Sequence, residues 1–362
     1  MNRGDDGPST IPKVNSFSCI FLVRDFFFAL GTTFALCFPV RVILARWQVF
    51  DRPNERSSHS VPVVRGGGIA ILLAVFIVGG FELDWSRGTA VVEIAVASFI
   101  LAAVSFLDDL RSLGQTVRFS VQLGSALIAL IALFQANMHG LSLVGKAAVG
   151  LIGFFWITGY TNSFNFMDGI NGIAGIQTVL CGLGTALIGI IAGARFDNSA
   201  VILSVILGGA GAGFLPHNFP RARLFLGDVG SAPIGFLLAV SGFWLARDLG
   251  WWLLGALGLL HANFVLDSII TLLRRVILGE RWYESHREHF YQRLVRSGAS
   301  QVAVALWEGS IQIVVLLLLL SAVKMGWMLR GFAAGIVCSL WLAFFCFAEY
   351  RFRHHKIHAE GA

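Results

Sequence analysis

Several short polar segments of an otherwise apolar chain carry residues that could do chemistry. Asp108 and Asp109 are adjacent at the end of an apolar run, where a single polar residue would be enough to end a membrane helix. Two neighbouring carboxylates repel each other unless a cation or a shared proton neutralises them. The pair therefore predicts a metal site or an acid–base pair, and a solvated helix end remains as the alternative.

The segment 162–172 reads Asn-Ser-Phe-Asn-Phe-Met-Asp-Gly-Ile-Asn-Gly and spaces its amides and its acid three residues apart. In a helix or a helical turn that spacing places Asn162, Asn165, Asp168 and Asn171 on one face. Amides can bind phosphate or a base edge, and the glycines allow a ligand to approach the backbone. The segment predicts a ligand site, with a capping network at a helix end as the alternative.

A further acid, Asp228, lies in the glycine-flanked segment Phe-Leu-Gly-Asp-Val-Gly-Ser, which begins at Phe225, and Asn218 precedes it. Its carboxylate could simply cap the next helix. A third acidic segment favours a cation, however, because Mg²⁺ usually takes one or two protein carboxylates and completes its shell with water and substrate phosphates. We predict that Asp228 binds a metal ion.

Two other segments are typical of anion binding. Residues 51–68 combine hydroxyl groups, basic side chains and three consecutive glycines, which suits a phosphate clamp. Residues 286–293 carry two histidines three positions apart among arginines, which favours an anion or sugar pocket over a basic helix on anionic lipid. The side chains that we expect to bind substrate are Asn54, Arg56, His59 and Arg65 in the first segment, and His286, His289 and Arg293 in the second.

Membrane helices must position these segments. Of the 362 residues, 56% are hydrophobic and only 13% are charged, and the mean hydropathy is +0.75, which excludes a water-soluble domain. The apolar residues form runs close to the roughly 20 residues that cross a bilayer. We predict an all-α bundle of about eleven transmembrane spans. The runs are 20–47, 67–81, 90–107, 119–136, 141–159, 172–194, 200–215, 232–246, 250–273, 302–323 and 327–347.

The distribution of basic residues predicts the orientation of the bundle. Seventeen Lys and Arg residues follow odd-numbered spans, whereas nine lie in the N-terminal tail or follow even-numbered spans. This bias predicts an outside N-terminus, a cytoplasmic C-terminus and polar segments on the cytoplasmic face. It also accounts for the net charge of +6 without a nucleic acid partner. We divide the chain into a polar tail (1–19), one transmembrane catalytic domain (20–349) and a basic cytoplasmic tail (350–362).

Asp267 is the only acid in the ninth predicted span, and an acid at membrane depth is a functional candidate. It lies two helical turns before Arg274 and Arg275, so that an ion pair within the helix is the alternative. We therefore leave Asp267 outside the predicted site.

Together these motifs resemble those of the polyprenyl-phosphate N-acetylhexosamine-1-phosphate transferases, which form glycosyltransferase family 4. The resemblance runs from about residue 47 to 296 and keeps the family's order of motifs. It is strongest to the branch that initiates bacterial O-antigen or other surface polysaccharides. The motifs are Asp-Arg-Pro-Asn-Glu-Arg-Ser-Ser-His with Arg-Gly-Gly-Gly, the Asp108–Asp109 pair, Asn-Phe-Met-Asp-Gly-Ile-Asn-Gly, Phe-Leu-Gly-Asp-Val-Gly-Ser and His-Arg-Glu-His-Phe-Tyr-Gln-Arg-Leu.

The resemblance implies transfer of N-acetylhexosamine-1-phosphate from a UDP-N-acetylhexosamine to undecaprenyl phosphate, which gives a lipid diphosphate sugar and UMP. It implies Mg²⁺, or Mn²⁺ in its place, in a bacterial inner-membrane enzyme with a cytoplasmic active site, and a homodimer is a possible assembly. Asp228 and Asp168 would bind the metal, and Asp108 and Asp109 would bind or deprotonate the lipid phosphate. The uridine would meet Asn171, Asn218 and Phe225, and the sugar and diphosphate would meet His286, His289 and Arg293.

Two departures from the family pattern matter. Asn171 stands where many members have Asp, and the change in charge puts a direct catalytic role there in doubt. The histidine segment differs from that of the peptidoglycan-precursor enzymes, which argues against a muramyl-pentapeptide donor. An enzyme of that kind remains one alternative. A secondary transporter is another, although it would place polar groups near mid-membrane on broken helices.

Overall fold

The computed structural model describes residues 16–53, 61–85, 89–135, 141–281 and 286–360. This part of the chain is helical apart from three short strands, so the predicted all-α bundle is confirmed. Its elements are α1 (Ser16–Arg46), β1 (Phe50–Asp51), β2 (Val63–Arg65), α2 (Gly68–Glu82), α3 (Thr89–Arg111), α4 (Gln115–Gln135), α5 (Leu143–Met167), α6 (Ile173–Ala192), α7 (Ser199–Asn218), β3 (Leu224–Phe225), α8 (Asp228–Leu249), α9 (Leu253–Leu260), α10 (Ala262–Ile277), α11 (Phe290–Arg296), α12 (Gln301–Ala322) and α13 (Trp327–Glu360).

Nine of the described helices are long and apolar enough to cross a membrane, namely α1, α3 to α8, α12 and α13. Helices α9 and α10 are bent by 73° and make a tenth span if they count as one. Helix α2 is apolar but has only 15 residues, fewer than the roughly 20 that cross a bilayer. Each predicted run thus coincides with a helix, whereas the number of long spans is nine or ten. The basic segment after residue 349 continues α13 as a helix to Glu360.

The ninth predicted span is broken at His261, between α9 and α10. A break frees backbone groups that lipid cannot satisfy, so other protein groups must bind them. Gln312 of α12 donates a side-chain hydrogen bond to the carbonyl of Leu260, and the Cys181 thiol lies 3.5 Å from the same oxygen. The His261 ring donates through Nδ1 to the carbonyl of Leu257 at 2.7 Å. Side chains from neighbouring helices therefore stabilise the bend.

Helix α8 is the central helix of the bundle, and its whole apolar stretch is buried. It packs against α2, α3, α5, α6 and α7. A helix that is apolar on every face is buried on every face, which is the case here. Because Asp228 is the first residue of α8, the core of the protein positions this acid.

Glycines allow the closest helix contacts. A Cβ atom added to Gly68 of α2 would lie 2.0 Å from the Cα of Gly230 in α8. Gly209 and Gly213 of α7 meet backbone carbonyls of α1, each 2.3 Å from the position of an added Cβ. Small residues are common where membrane helices pack closely. The Gly68–Gly230 contact brings the start of α2 against the start of α8.

The three strands form one small sheet in the order β1-β2-β3. Strands β1 and β2 are antiparallel, whereas β2 and β3 are parallel, with Val64 opposite Leu224 and Arg65 opposite Phe225. Strands of two or three residues are too short to show a period of two in the sequence, so hydropathy did not predict them. The sheet places residues 63–68 beside the segment 225–231.

Candidate active site

Arg65 forms ion pairs with two of the predicted site acids. Its Nη2 atom lies 2.7 Å from Oδ1 of Asp228, and its Nε atom lies 2.7 Å from Oδ1 of Asp109. The pairing of β2 with β3 places Arg65 between the ends of α3 and α8. Although burial opposes the shift, the charges of Asp228 and Asp109 raise the pKa of Arg65 above its ordinary value. Arg65 therefore remains a cation at the junction of three segments.

Asp109 caps the first turn of α8. Its Oδ1 atom accepts from the backbone N–H of Asp228 at 3.1 Å, and its Oδ2 atom accepts from that of Val229 at 3.0 Å. The first N–H groups of a helix have no partner within the helix, and the helix dipole favours a negative charge beside them. The two N–H groups and Arg65 engage both oxygens of Asp109, whose side chain is 0% exposed.

Asp108 faces a different arginine. Nη1 of Arg118 lies 3.1 Å from Oδ2 of Asp108 and 3.6 Å from Oδ2 of Asp228. The other oxygen of Asp108 accepts from the backbone N–H of Leu113. Arg118 was not among the predicted site residues, although its position in the first turn of the helix after an acidic helix end is a signal that could have pointed to it.

Asp168 follows the last residue of α5 and has no hydrogen bond or ion pair to any described residue. Burial and the negative charges of Asp228 and Asp109 raise its pKa well above the ordinary value, while Arg65 acts in the opposite direction. A bound cation therefore stabilises the charged form of this carboxyl group, which burial and the neighbouring acids disfavour.

These four acids with Arg65 and Arg118 are called the acidic cluster below. Among the residues that the structure describes, no three His, Cys, Asp or Glu side chains form a complete metal site. Mg²⁺ does not require one, because it is usually held by one or two carboxylates and by substrate phosphates. The Asp168 side chain has no hydrogen bond or ion pair to a described residue, and Oδ2 of Asp228 lies 3.6 Å from Arg118. Both carboxylates have the donor chemistry that Mg²⁺ prefers.

The predicted amides join the end of α5 to neighbouring elements. Asn165 accepts a hydrogen bond from the Ser231 hydroxyl of α8. Asn218 accepts from the backbone N–H of Gly172 at 2.7 Å and donates to the carbonyl of Leu224 at 3.0 Å. These bonds hold the loops before α6 and β3 beside the acidic cluster.

Two other residues predicted around the uridine, Asn171 and Phe225, belong to these loops or to the strand that follows. Asn171 donates to the carbonyl of Pro220 at 3.3 Å. Phe225 is half-buried in β3, and Asn162 is half-buried in α5. The remaining predicted residues, Asn54, Arg56 and His59, lie outside the described part of the chain.

The histidine segment is anchored by Asp267, which sequence reasoning had left outside the site. Nδ1 of His289 lies 2.8 Å from Oδ1 of Asp267, and the backbone N–H of Phe290 donates to Oδ2 at 2.9 Å. The alternative ion pair within α10 is wrong for the described chain, because Arg274 pairs with Glu349 and Arg275 with Glu280. The signal for this contact was the acid at membrane depth itself.

Arg293 is held by two acids rather than left open to solvent. Its Nη2 atom lies 2.6 Å from Oε2 of Glu288, and its Nη1 atom is hydrogen bonded to Glu349 of α13. Its guanidinium group also lies 4.8 Å from the ring centre of Phe352. These contacts dock α11 on the C-terminal part of α13.

The histidine segment lies beside the acidic cluster. The Tyr291 hydroxyl donates to the carbonyl of Phe166 at 3.0 Å, two residues before Asp168. The rings of His289 and Phe166 are 6.0 Å apart. Burial, the neighbouring His289 and the charge of Arg275 lower the pKa of His286 to about 4, so its ring is neutral near pH 7. The bundle thus brings two predicted groups of site residues to the same end.

Comparison with known proteins identifies one matching family. The sequence profile of glycosyl transferase family 4 matches residues 91–246, which include all four acids of the cluster. Decaprenyl-phosphate N-acetylglucosaminephosphotransferase of Mycobacterium tuberculosis is 28% identical over 306 residues, covering 75% of this chain and 76% of that protein.

Two further relatives carry related names. A probable undecaprenyl-phosphate N-acetylglucosaminyl 1-phosphate transferase of Bacillus subtilis is 26% identical, covering 77% of this chain and 78% of its own length. A phospho-N-acetylmuramoyl-pentapeptide-transferase of Desulforudis audaxviator is 27% identical, covering 69% of this chain and 80% of its own. Residues 91–246 of this chain therefore match glycosyl transferase family 4, and the three transferases resemble the chain over 69–77% of its length.

Proposed function

We propose that this protein transfers N-acetylhexosamine-1-phosphate from a UDP-N-acetylhexosamine to undecaprenyl phosphate, with release of UMP. The observation that carries the proposal is that Asp228 pairs with both Arg65 and Arg118 at one end of the bundle, where the charges of Asp228 and Arg65 also act on the pKa of Asp168. Such a mixture of acids and guanidinium groups suits a reaction between a phosphate and a diphosphate. The names of the Mycobacterium tuberculosis and Bacillus subtilis relatives support the same lipid and sugar classes.

The reaction requires an oxygen of the lipid phosphate to attack the sugar-bound phosphorus of the donor. A new P–O bond forms, and the bond from that phosphorus to the oxygen of UMP breaks. Such a transfer needs positioning and charge stabilisation more than covalent help from the protein. Mg²⁺ held by Asp168 and Asp228 would neutralise charge on the diphosphate.

The arginines of the acidic cluster have a complementary role in this proposal. Arg118 is 36% exposed at the edge of the cluster and can turn toward an incoming phosphate. Arg65 keeps Asp228 in place through its second bond to Asp109. Because a lipid phosphate is mostly ionised near neutral pH, the reaction needs little help from a general base. Asp108 would act on the lipid phosphate either through Arg118 or by direct contact.

We further propose that the site faces the cytoplasm from a bacterial inner membrane. The bias of Lys and Arg between alternate loops supports this orientation. Helices α3 and α5 end at the acidic cluster, and α8 begins there, as that orientation requires. A donor from the cytosol and an acceptor in the bilayer can meet only at such an edge. The step would initiate a surface polysaccharide such as O-antigen.

The decisive experiment measures UMP release by the purified protein with undecaprenyl phosphate. The donor panel contains UDP-N-acetylglucosamine, other UDP-N-acetylhexosamines and UDP-N-acetylmuramoyl-pentapeptide, each with Mg²⁺, with Mn²⁺ and with a chelator. We expect metal-dependent UMP release from one of the simple N-acetylhexosamine donors. Release only from the muramoyl-pentapeptide donor would replace the proposal with the precursor-transferase function that the Desulforudis audaxviator relative's name describes.

A folded protein that releases no UMP from any donor would overturn the proposal. Folding is checked by size-exclusion chromatography and a cooperative thermal transition in the same detergent. The variant Asp197→Asn provides a matched control, because Asp197 is an exposed acid paired only with Arg195 in a loop away from the acidic cluster. This variant should release UMP at the rate of the unmodified protein.

A further inference from the structure

Asp267 is a fully buried carboxylate whose contacts all serve the histidine segment or its own helix turn. Its exposed fraction is 0%. Oδ1 contacts His289 at 2.8 Å and accepts from the Thr271 hydroxyl at 3.1 Å, while Oδ2 accepts from the backbone N–H of Phe290 at 2.9 Å. Burying a carboxylate in a membrane helix is costly, and such residues usually have a function. These contacts connect Asp267 with His289 and the residue after it.

The hydrogen bond to Asp267 determines which nitrogen of His289 is available. A carboxylate can only accept, so Nδ1 carries the proton that it donates to Asp267. The other ring nitrogen, Nε2, is then the atom left to meet a ligand, as in metal-binding and catalytic histidines oriented by a carboxylate. The ring is also confined between Phe166, at 6.0 Å, and His286, at 4.9 Å, measured between ring centres.

The neighbouring contacts exclude a simple ion-pair role for Asp267. The nearest arginines of its own helix and of α11 have other acids, since Arg274 and Arg293 both meet Glu349. The ring of His289 is itself almost fully buried, with 4% exposed. Tyr291, two residues after His289, donates to the carbonyl of Phe166 and packs against Gly169, so the histidine segment lies on the loop that carries Asp168.

We propose that Asp267 is a positioning residue that holds His289 with Nδ1 protonated and Nε2 directed at the phosphate-bearing donor beside Asp168. This inference rests on the proposed function, because it assigns a role within the same site. Asp267 would act through His289 and would touch no substrate itself. The Oδ2 atom of Asp267 also binds the backbone N–H of Phe290, which fixes the backbone next to His289.

A double-mutant cycle on UMP release tests whether Asp267 acts through His289. Asp267→Asn should lower kcat about 10-fold to 100-fold with little change in KM, which is the usual effect of losing an orienting partner. His289→Ala should lower kcat at least as much. The double variant should be no slower than His289→Ala alone, because Asp267 then has nothing left to orient. If kcat of the double variant fell by the product of the two separate factors, the proposal would be overturned.

Asp25→Asn is the matched control for this cycle. Asp25 is also a buried acid within a membrane helix, with 2% exposed, but it lies in the first half of α1 and pairs with Arg24. Its variant should leave kcat unchanged and should not alter the effect of His289→Ala. A loss of kcat in Asp25→Asn as large as that in Asp267→Asn would show a general effect of removing a buried carboxylate and would also overturn the proposal.

A spectroscopic measurement keeps the inference testable if Asp267→Asn does not fold or if no donor reacts. In protein with ¹⁵N-labelled histidine, the signals of His289 are identified by their loss in His289→Gln. We expect the unmodified protein to show a protonated Nδ1 at this residue. A neutral ring with the proton on Nε2 would overturn the positioning role. A protonated Nδ1 together with no UMP release would instead leave the contact intact and reject the proposed function.

Discussion

The Oδ1 atom of Asp109 accepts a hydrogen bond from the backbone N–H of Asp228 at 3.1 Å, across 119 residues of the chain. The bond joins the last turn of α3 to the first turn of α8. It also separates the roles of the acids in the cluster. Asp109 is engaged on both oxygens, whereas the Asp168 side chain has no hydrogen bond or ion pair to any described residue and Oδ2 of Asp228 lies 3.6 Å from Arg118.

Asp109→Ala should destabilise the protein because it removes three interactions at the start of α8. Two backbone N–H groups lose their acceptor, and Arg65 loses one of its two acids. We expect a loss of about 3 kcal/mol in the free energy of unfolding, at the lower end for a broken buried pair because Arg65 keeps Asp228. Thermal and denaturant unfolding in detergent would measure it, and an unchanged stability would show that Asp109 does not hold α8.

Asp228→Asn should abolish most activity while the protein stays folded. The change keeps the size of the side chain but removes the charge that is proposed to bind the metal ion. We expect kcat for UMP release to fall about 100-fold to 1,000-fold, as for the loss of one electrostatic stabiliser of a transition state.

Asp248→Asn is the control for this change, since Asp248 lies at the opposite end of α8 and pairs with Arg247 at 2.6 Å. It should keep full activity. Nearly normal UMP release by Asp228→Asn would contradict the assignment of Asp228 to the metal.

Gly68→Ala should weaken the packing of α2 against α8. The added methyl group would lie 2.0 Å from the Cα of Gly230, so the two helices must move apart. Overpacking of this kind costs about 1–3 kcal/mol and occasionally more. Gly80→Ala in the same helix meets no atom within 4 Å and should be neutral or slightly stabilising. The measurement compares the melting temperatures of both variants, and equal values would contradict the tight contact.

Glu288 should make a contribution to stability that depends on pH. Burial opposes the shift, but hydrogen bonds and charges from Arg296 and Arg293 lower the pKa of Glu288 below its ordinary value of 4.5. In the unfolded chain the group takes up its proton at about that ordinary value. Its contribution is therefore fully present above about pH 4.5 and is lost as the pH falls through the lowered value.

The comparison that checks this prediction is between the unmodified protein and Glu288→Gln. The difference in melting temperature should be present at pH 7 and should shrink below pH 4.5. Glu280→Gln is a suitable control, because Glu280 is more exposed and pairs with Arg275. A difference that stays constant from pH 7 to pH 3.5 would show that the Glu288 contacts do not stabilise the fold through charge.

Much of the fold could be predicted from the sequence because the membrane imposes a local rule. A run of about 20 apolar residues must be a helix in lipid, whatever its neighbours are, since its backbone groups have to pair within the segment. The predicted runs accordingly coincide with helices. The break at His261 could not be predicted in this way, because it depends on Gln312 and Cys181, which bind the freed carbonyl of Leu260 from other helices.

The candidate site also has features that follow from local sequence and features that depend on contacts between distant segments. The sequence by itself determined which side chains could do chemistry and that the chain resembles one family, because motifs and charge bias are local properties. Only the tertiary structure decided that Arg65 joins Asp109 to Asp228, that Asp267 binds His289 and that Arg293 is held by Glu288 and Glu349. Most of these partners come from different helices. Their contacts follow from how the helices and the small sheet pack, which no local pattern of hydropathy or charge records.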